Sequence, residues 1–219
     1  MKHLFTILFL LLSFFSVSGQ DDMKVALQEF TVQDSLTIHE VDSLNALTIQ
    51  IFKNASFSAK DSIYKQVDRA IALSESIDYE YGQAKALYYL GRYYITLELE
   101  PAKATHNFLK SLELFTKLDD SNFISRCYMQ LGLTNYIIEF YEEAIRNLLL
   151  SLEIDDHSTT KYLLALSYTK IKDFSNAKAY FKKAIAHYEK EGDQAKINQC
   201  YLYMGQLFLE MNEADSSFV

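Results

Sequence analysis

His157 follows directly on Asp155 and Asp156, and imidazole beside two carboxylates is a set of groups that binds divalent metals. The surrounding pattern argues against a metal site. His39, His106 and His187 lie far from it and from one another, with none of the spacings that bring ligands onto one helix face. The trio reads instead as a helix end, where a histidine complements the helix dipole and aspartates form turns. Glu142-Glu143 reads as a helix start for the same electrostatic reason. No glycine-rich phosphate loop, nucleophile elbow or zinc signature occurs in the 219 residues. No catalytic residue, no metal and no cofactor is therefore expected. The remaining reactive groups are Cys127 and Cys200, which could pair in an oxidising compartment.

Composition favours a packed helical chain. Hydrophobic residues make up 49% and charged residues 23%, with six glycines and one proline, so a core can form and helix breakers are few. The sixteen tyrosines and fifteen phenylalanines mostly fall at helical spacing within apolar patterns, which places them in that core. The net charge of −8 opposes a phosphate backbone, so nucleic acid is not an expected partner.

Residues 1–19 read as a signal peptide. Lys2 supplies the cation, Leu4 to Leu12 the apolar run, and Val17 and Gly19 the small residues before a cut ahead of Gln20. An uncleaved anchor is the alternative, although the apolar stretch is shorter than the roughly 20 residues a spanning helix needs. No cysteine lies near the cut to carry a lipid, and no later segment is apolar enough to span a bilayer. The expected location is outside the cytoplasm, in the periplasm or envelope.

The elements emerge from internal repetition. Leu87-Tyr-Tyr-Leu90-Gly91-Arg-Tyr-Tyr94, Tyr128-Met-Gln-Leu131-Gly132 and Tyr201-Leu-Tyr-Met204-Gly205-Gln-Leu-Phe208 superpose, with Leu164-Ala165-Leu-Ser-Tyr168 as a fourth copy. Second helices follow with Ala104 and Phe108, Ala144 and Leu148, and Ala177 and Phe181. Glycine inside a helix costs about 1 kcal/mol relative to alanine, so close approach of the paired helix must offset it. Intervals of 41, 33 and 40 residues separate the four small residues, the longer ones carrying turn formers at Asp119-Asp120-Ser121-Asn122 and Glu191-Gly192-Asp193. Helices are expected at 35–53, 59–77, 82–97, 101–118, 122–138, 141–153, 159–171, 174–190 and 194–211. Pro101 suits a first turn, and Ser58 with Asp61 resembles an N-cap. No strand pattern competes.

This pattern resembles the tetratricopeptide repeat family, in which W-x-x-L-G-x-x-Y is followed by A-x-x-x-F. The resemblance implies an all-α fold, a helix-turn-helix solenoid in which antiparallel pairs form a right-handed superhelix. It further implies a concave groove lined by the first helix of each pair. The residues assigned to that peptide-binding groove are Lys85, Tyr88, Arg92, Arg126, Met129, Tyr136, Tyr162, Lys170 and Gln199. On an acidic protein, Lys85, Arg92, Arg126 and Lys170 on one face would suit an extended peptide of some acidic character, or would be ordinary solvated charges. The Lys and Asn with which some relatives grip C-terminal carboxylates are replaced here by Tyr88 and Arg92, so that activity is not expected.

Residues 20–54 form an N-terminal segment with a divergent first helix, whose stripe is Val41, Leu44, Leu47 and Ile51. The array occupies 55–219. Ile63, Val67 and Ala70 stand where Ala104, Phe108 and Ser111 stand one repeat later. Cys127 and Cys200 share one motif position two repeats apart, beyond the roughly 7 Å that a disulfide spans, so two packed free thiols are expected. After Gly205 no second helix completes the last repeat before Val219. Either the chain is the sensory part of a larger envelope signalling protein, or the last helix packs on a partner, a second copy included. A free periplasmic adaptor for envelope assembly is the second functional expectation, and an enzyme with a site in the groove is the third. In the first two cases another protein or an extended peptide is the ligand.

Overall fold

The computed structural model describes residues 17–53 and 60–216, with side chains from 33 to 52 and from 60 to 211. Most of the expected signal peptide, the Ser58 cap and the last three residues lie outside them. Among the described residues every regular element is a helix: α1 (Val17–Lys53), α2 (Lys60–Ser76), α3 (Glu80–Tyr93), α4 (Pro101–Lys117), α5 (Ser121–Ile137), α6 (Tyr141–Ile154), α7 (Ser158–Lys170), α8 (Phe174–Glu191) and α9 (Gln194–Ser216). A single π-helical turn, Tyr94–Glu98, extends α3. The expected helices α2 to α8 are found with ends shifted by a few residues; α1 begins earlier than expected and α9 runs further. The chain falls into two compact units, residues 1–90 and 91–219, and the division lies within α3.

In the first unit α1 packs on α2. Ile63, Val67 and Ala70 are buried, as the motif shift predicts. The stripe expected on α1 is corrected. Val41 is buried, but Leu47 is exposed, and the buried neighbours of Val41 are the polar Asn45 and Thr48. Each finds a backbone acceptor: Asn45 Nδ2 donates to the Gly82 carbonyl at 3.2 Å, and the Thr48 hydroxyl to Leu44 at 2.9 Å. Gly82 makes this approach feasible, since a Cβ there would lie 2.6 Å from Val41 Cγ1. Only the donor half of the Asn45 amide is satisfied, since its Oδ1 is buried without a hydrogen-bond partner.

In the second unit each helix packs on the next along the chain, α4 on α5 through α8 on α9, the nearest-neighbour pattern of a solenoid. Ala104, Phe108, Ala144, Leu148, Ala177 and Phe181 are fully buried, so the second-helix pattern is the core. The motif glycines explain how. A Cβ on Gly91 would meet the Phe108 ring at 2.6 Å, and one on Gly132 would meet Leu148 Cγ at 2.6 Å. The bulky residue of the second helix thus sits on the glycine of the first. Gly205 differs, because a Cβ there would meet nothing within 4 Å. Its helix cost is not offset by any contact among the described residues.

One turn serves both within and between repeats. Asp119, Glu139, Lys172 and Gly192 follow their helices with positive φ, and only the last is the glycine that favours it. The next residue closes the turn with a six-to-one bond: Asp120 N–H to Phe115 O, Phe140 to Asn135, Asp173 to Tyr168 and Asp193 to Tyr188, all 2.9–3.0 Å. Three of these residues then cap the following helix, Asp120 accepting from Phe123 N–H, Asp173 from Asn176 and Asp193 from Lys196. Capping bonds of this kind are worth about 1 kcal/mol each.

Candidate binding site

The first helices of the second unit, α5, α7 and α9, bring tyrosines together. Tyr162 of α7 is buried, its ring edge-on to Tyr203 of α9 at 6.0 Å and to Phe181 of α8 at 6.3 Å. Burial and the neighbouring phenols of Tyr203 and, from α5, Tyr136 raise the Tyr162 phenol above its ordinary value. Tyr136 stands edge-on to Tyr141 at 5.6 Å, and Met129 and Leu133 pack beside it against the same core. The sequence assigned Met129, Tyr136 and Tyr162 to the groove and the structure gathers them. It adds Tyr203, which the sequence did not assign to the groove.

The cations behave less uniformly. Arg126 lies over the Phe123 ring at 5.5 Å, one turn back on α5, and Lys85 over Tyr81 at 5.3 Å in the first unit. Such contacts are worth about 0.5–1 kcal/mol at exposed sites and hold the charge near its own helix. Arg92 is half-buried, and Lys170 is exposed as the last residue of α7. Gln199 is half-buried on α9 and accepts from Lys196 at 3.4 Å. Tyr88 is only 4% exposed, edge-on to Tyr89 at 5.3 Å, so it offers little surface to a ligand. The surface continues along α9 as exposed apolar residues, Leu202 at 63% and Leu209 at 65%.

The residues first read as a metal trio are placed differently. Asp155 closes α6 and His157 is the N-cap of α7, with Nε2 2.9 Å from Asp155 Oδ2. The expected dipole role of His157 is corrected: it opens α7, and at a helix N-terminus a cation is disfavoured. Among the described residues no group of three or more His, Cys, Asp or Glu side chains could hold a metal ion. None of their helices is long and apolar enough to cross a membrane.

Both cysteines are free and buried. Burial pushes the Cys127 thiol up to about 12, opposed by its contact with the Ser111 hydroxyl, and the Cys200 thiol up to about 11. Burial also raises the phenols of Tyr136, Tyr162 and Tyr188. Groups whose folded pKa is raised contribute stability that is complete below the unfolded value and lost as pH climbs through the folded one. The urea midpoint should therefore hold to about pH 9, the ordinary thiol value, and fall progressively from there to about pH 12. A midpoint unchanged at pH 11 would contradict the packing of these groups.

Taken together, the helix pairs, the glycine seats and the shared turns define a tetratricopeptide-like helical repeat. Comparison with known proteins agrees on the fold. The chain superposes on the apo form of RapI with a TM-score of 0.70 at 20% identity, covering 78% of this chain and 64% of that one. TPR-like repeats of nearly identical sequence from Podosopora anserina, of kinesin light chain type, superpose with a TM-score of 0.58 at 14% identity, over 81% of this chain and 96% of that one. In sequence, 102 residues are 31% identical to response regulator aspartate phosphatase I of Bacillus subtilis (strain 168). That match spans 44% of this chain and only 26% of the relative. No protein-family model matches.

Proposed function

We propose that the chain is a scaffold that binds another protein or an extended peptide along the first helices of its second unit. The observation that carries this reading is the pair of half-buried tyrosines Tyr136 and Tyr203, seated on buried Tyr162, all three from successive first helices and continued by exposed Leu202 and Leu209. Tyrosines supply wide contact area with one polar tip and little conformational entropy to lose, which is what a recognition surface needs. The relative named for a response regulator aspartate phosphatase supports a role in signalling through protein contact. Export is proposed on the leader-like residues 1–19, and with it a place in the envelope as the sensory part of a larger signalling protein. The scaffold is not an enzyme in this reading, since its cysteines are buried with raised pKa values and its histidines are scattered.

Arg92 and Arg126 give the surface its test. Replacing both by Glu turns two cations into anions on one side of an acidic protein, so capture of a partner from envelope extract should drop by about tenfold or more. Helicity should be unchanged, since both side chains are partly solvated. Undiminished capture by the doubly reversed chain would exclude these arginines from the binding surface.

A further inference from the structure

Lys161 breaks the repeat. Counted from the small motif residues Gly91, Gly132, Ala165 and Gly205, its counterparts are Leu87, Tyr128 and Tyr201, so three copies carry a large apolar or aromatic side chain where this one carries an ammonium. Lys161 is nevertheless 8% exposed. Lysine is almost never this buried unless paired, and departures from a local rule of this kind concentrate at functional sites.

The thinner side chain leaves room. Beside it opens a cavity of about 410 Å³, walled by Leu152 of α6 and by Tyr180, Lys183, Ala186, His187 and Lys190 of α8. That volume is in the range of small-ligand pockets. Apart from Lys161 itself and Asp156 in the turn before α7, the walls come from second helices, whereas the tyrosine surface is formed by first helices. Lys161 Nζ donates to Asp156 Oδ1 at 2.7 Å and to His187 Nδ1 at 3.0 Å. The other ring nitrogen of His187, Nε2, lies 3.6 Å from Glu191 Oε1. Glu191 in turn accepts from the Ser158 hydroxyl at 3.0 Å. Lys183 Nζ lies 4.6 Å above the Tyr180 ring.

Asp156 is the only carboxylate among the lining residues, facing three lysines, in a protein whose net charge is −8. The sign of the local field is therefore reversed with respect to the whole chain. Lys161, with Lys190 and His187 nearby, holds the Asp156 carboxyl below its usual range. Yet the Asp156 side chain is 75% exposed, anchored by its oxygen on a lysine whose own side chain is 10% exposed. It is a solvent-facing anion occupying a buried cation.

We propose that this pocket binds a small anionic ligand, a carboxylate or phosphate carried on a short apolar or aromatic body. The oxyanion displaces Asp156 from Lys161 and draws in Lys183 and Lys190, while the body lies against Leu152, Ala186 and the Tyr180 ring. Asp156 swings into water, where its exposure already places most of it.

Calorimetric titration of the full chain with phenyl phosphate, phenylacetate and inorganic phosphate tests this. At least one of the two aromatic anions should bind saturably, one per chain, and tighter than inorganic phosphate; which of them binds identifies the oxyanion. Lys183→Glu with Lys190→Glu should weaken binding at least tenfold at an unchanged melting temperature. Lys161→Leu, which restores the residue type of the other repeats, should abolish binding at an equal or higher melting temperature. If that variant does not fold, the double rim variant decides. No saturable binding of either aromatic anion, equal affinity for inorganic phosphate, or binding that survives the rim charge reversals would each overturn the proposal. None of these substitutions touches Arg92, Arg126 or the tyrosine cluster, so loss here and loss of partner capture are separable.

Discussion

Gly132→Leu is expected to destabilise the second unit by about 3 kcal/mol or more, whereas Gly205→Ala, at the same motif position, should stabilise α9 by up to about 1 kcal/mol. The contrast follows from what each glycine faces. A bare Cβ on Gly132 would already lie 2.6 Å from Leu148 Cγ and 3.2 Å from the Ala144 carbonyl oxygen, and the second of these is backbone that cannot swing aside. A leucine adds three further carbons to that clash. At Gly205 the same Cβ would meet nothing within 4 Å, so alanine only removes the conformational freedom that glycine loses on folding. Since native domains are stable by only about 5–15 kcal/mol, the first change removes a large fraction of the total. In thermal melts of a chain this size, Gly132→Leu should lower the midpoint by roughly 6–12 °C and Gly205→Ala raise it by roughly 2–4 °C. Equal effects at the two positions would show that the helix seats are not as described.

Phe181→Ala should cost about 3–5 kcal/mol, the usual range for deleting a buried aromatic ring. Phe181 is fully buried in α8, among Leu164, Ala165 and Ile185, and it is the edge-on neighbour beneath Tyr162. Its loss thus links stability to the proposed binding surface. Tyr162 would lose the ring that fixes its orientation, and partner capture should weaken even though Phe181 itself is buried. In a solenoid the damage is local, so amides of α7 and α8 should exchange faster while those of α4 and α5 keep their protection. Uniform loss of protection across both regions would argue for a single cooperative core instead.

Much of this architecture was legible before any coordinates. The spacing of Ala104 and Phe108, Ala144 and Leu148, and Ala177 and Phe181 located the second helices, because a 3.6-residue period leaves one face for the core. The turns were legible only where side chains advertised them. Asp119-Asp120 and Gly192-Asp193 carry turn chemistry, but Glu139 and Lys172 adopt positive φ without any residue signal, because their helix ends are closed by backbone bonds. Asn45 and Thr48 were missed for another reason. A polar residue enters a core when a partner satisfies it, and the Asn45 partner is a carbonyl 37 residues away. His157 was assigned to the wrong helix end because α6 stops at Ile154 and α7 starts at Ser158, leaving it to open the second helix and not to close the first. For the proposed binding surface, the repeat register supplied Met129, Tyr136 and Tyr162, whereas the part proposed for Tyr203 depends on which way its ring turns toward α7.

In the proposed function, first helices and not second ones meet the partner. Photo-cross-linking from single positions tests it most directly: a photoreactive residue at Gln199 or Leu202 on α9, or at Lys170 on α7, against one at exposed Lys182 on α8. One cross-linked partner is expected from the three first-helix positions, lost on charge reversal of Arg92 and Arg126, and none from Lys182. Cross-linking from Lys182 as strong as from Gln199, or from Lys182 alone, would contradict it.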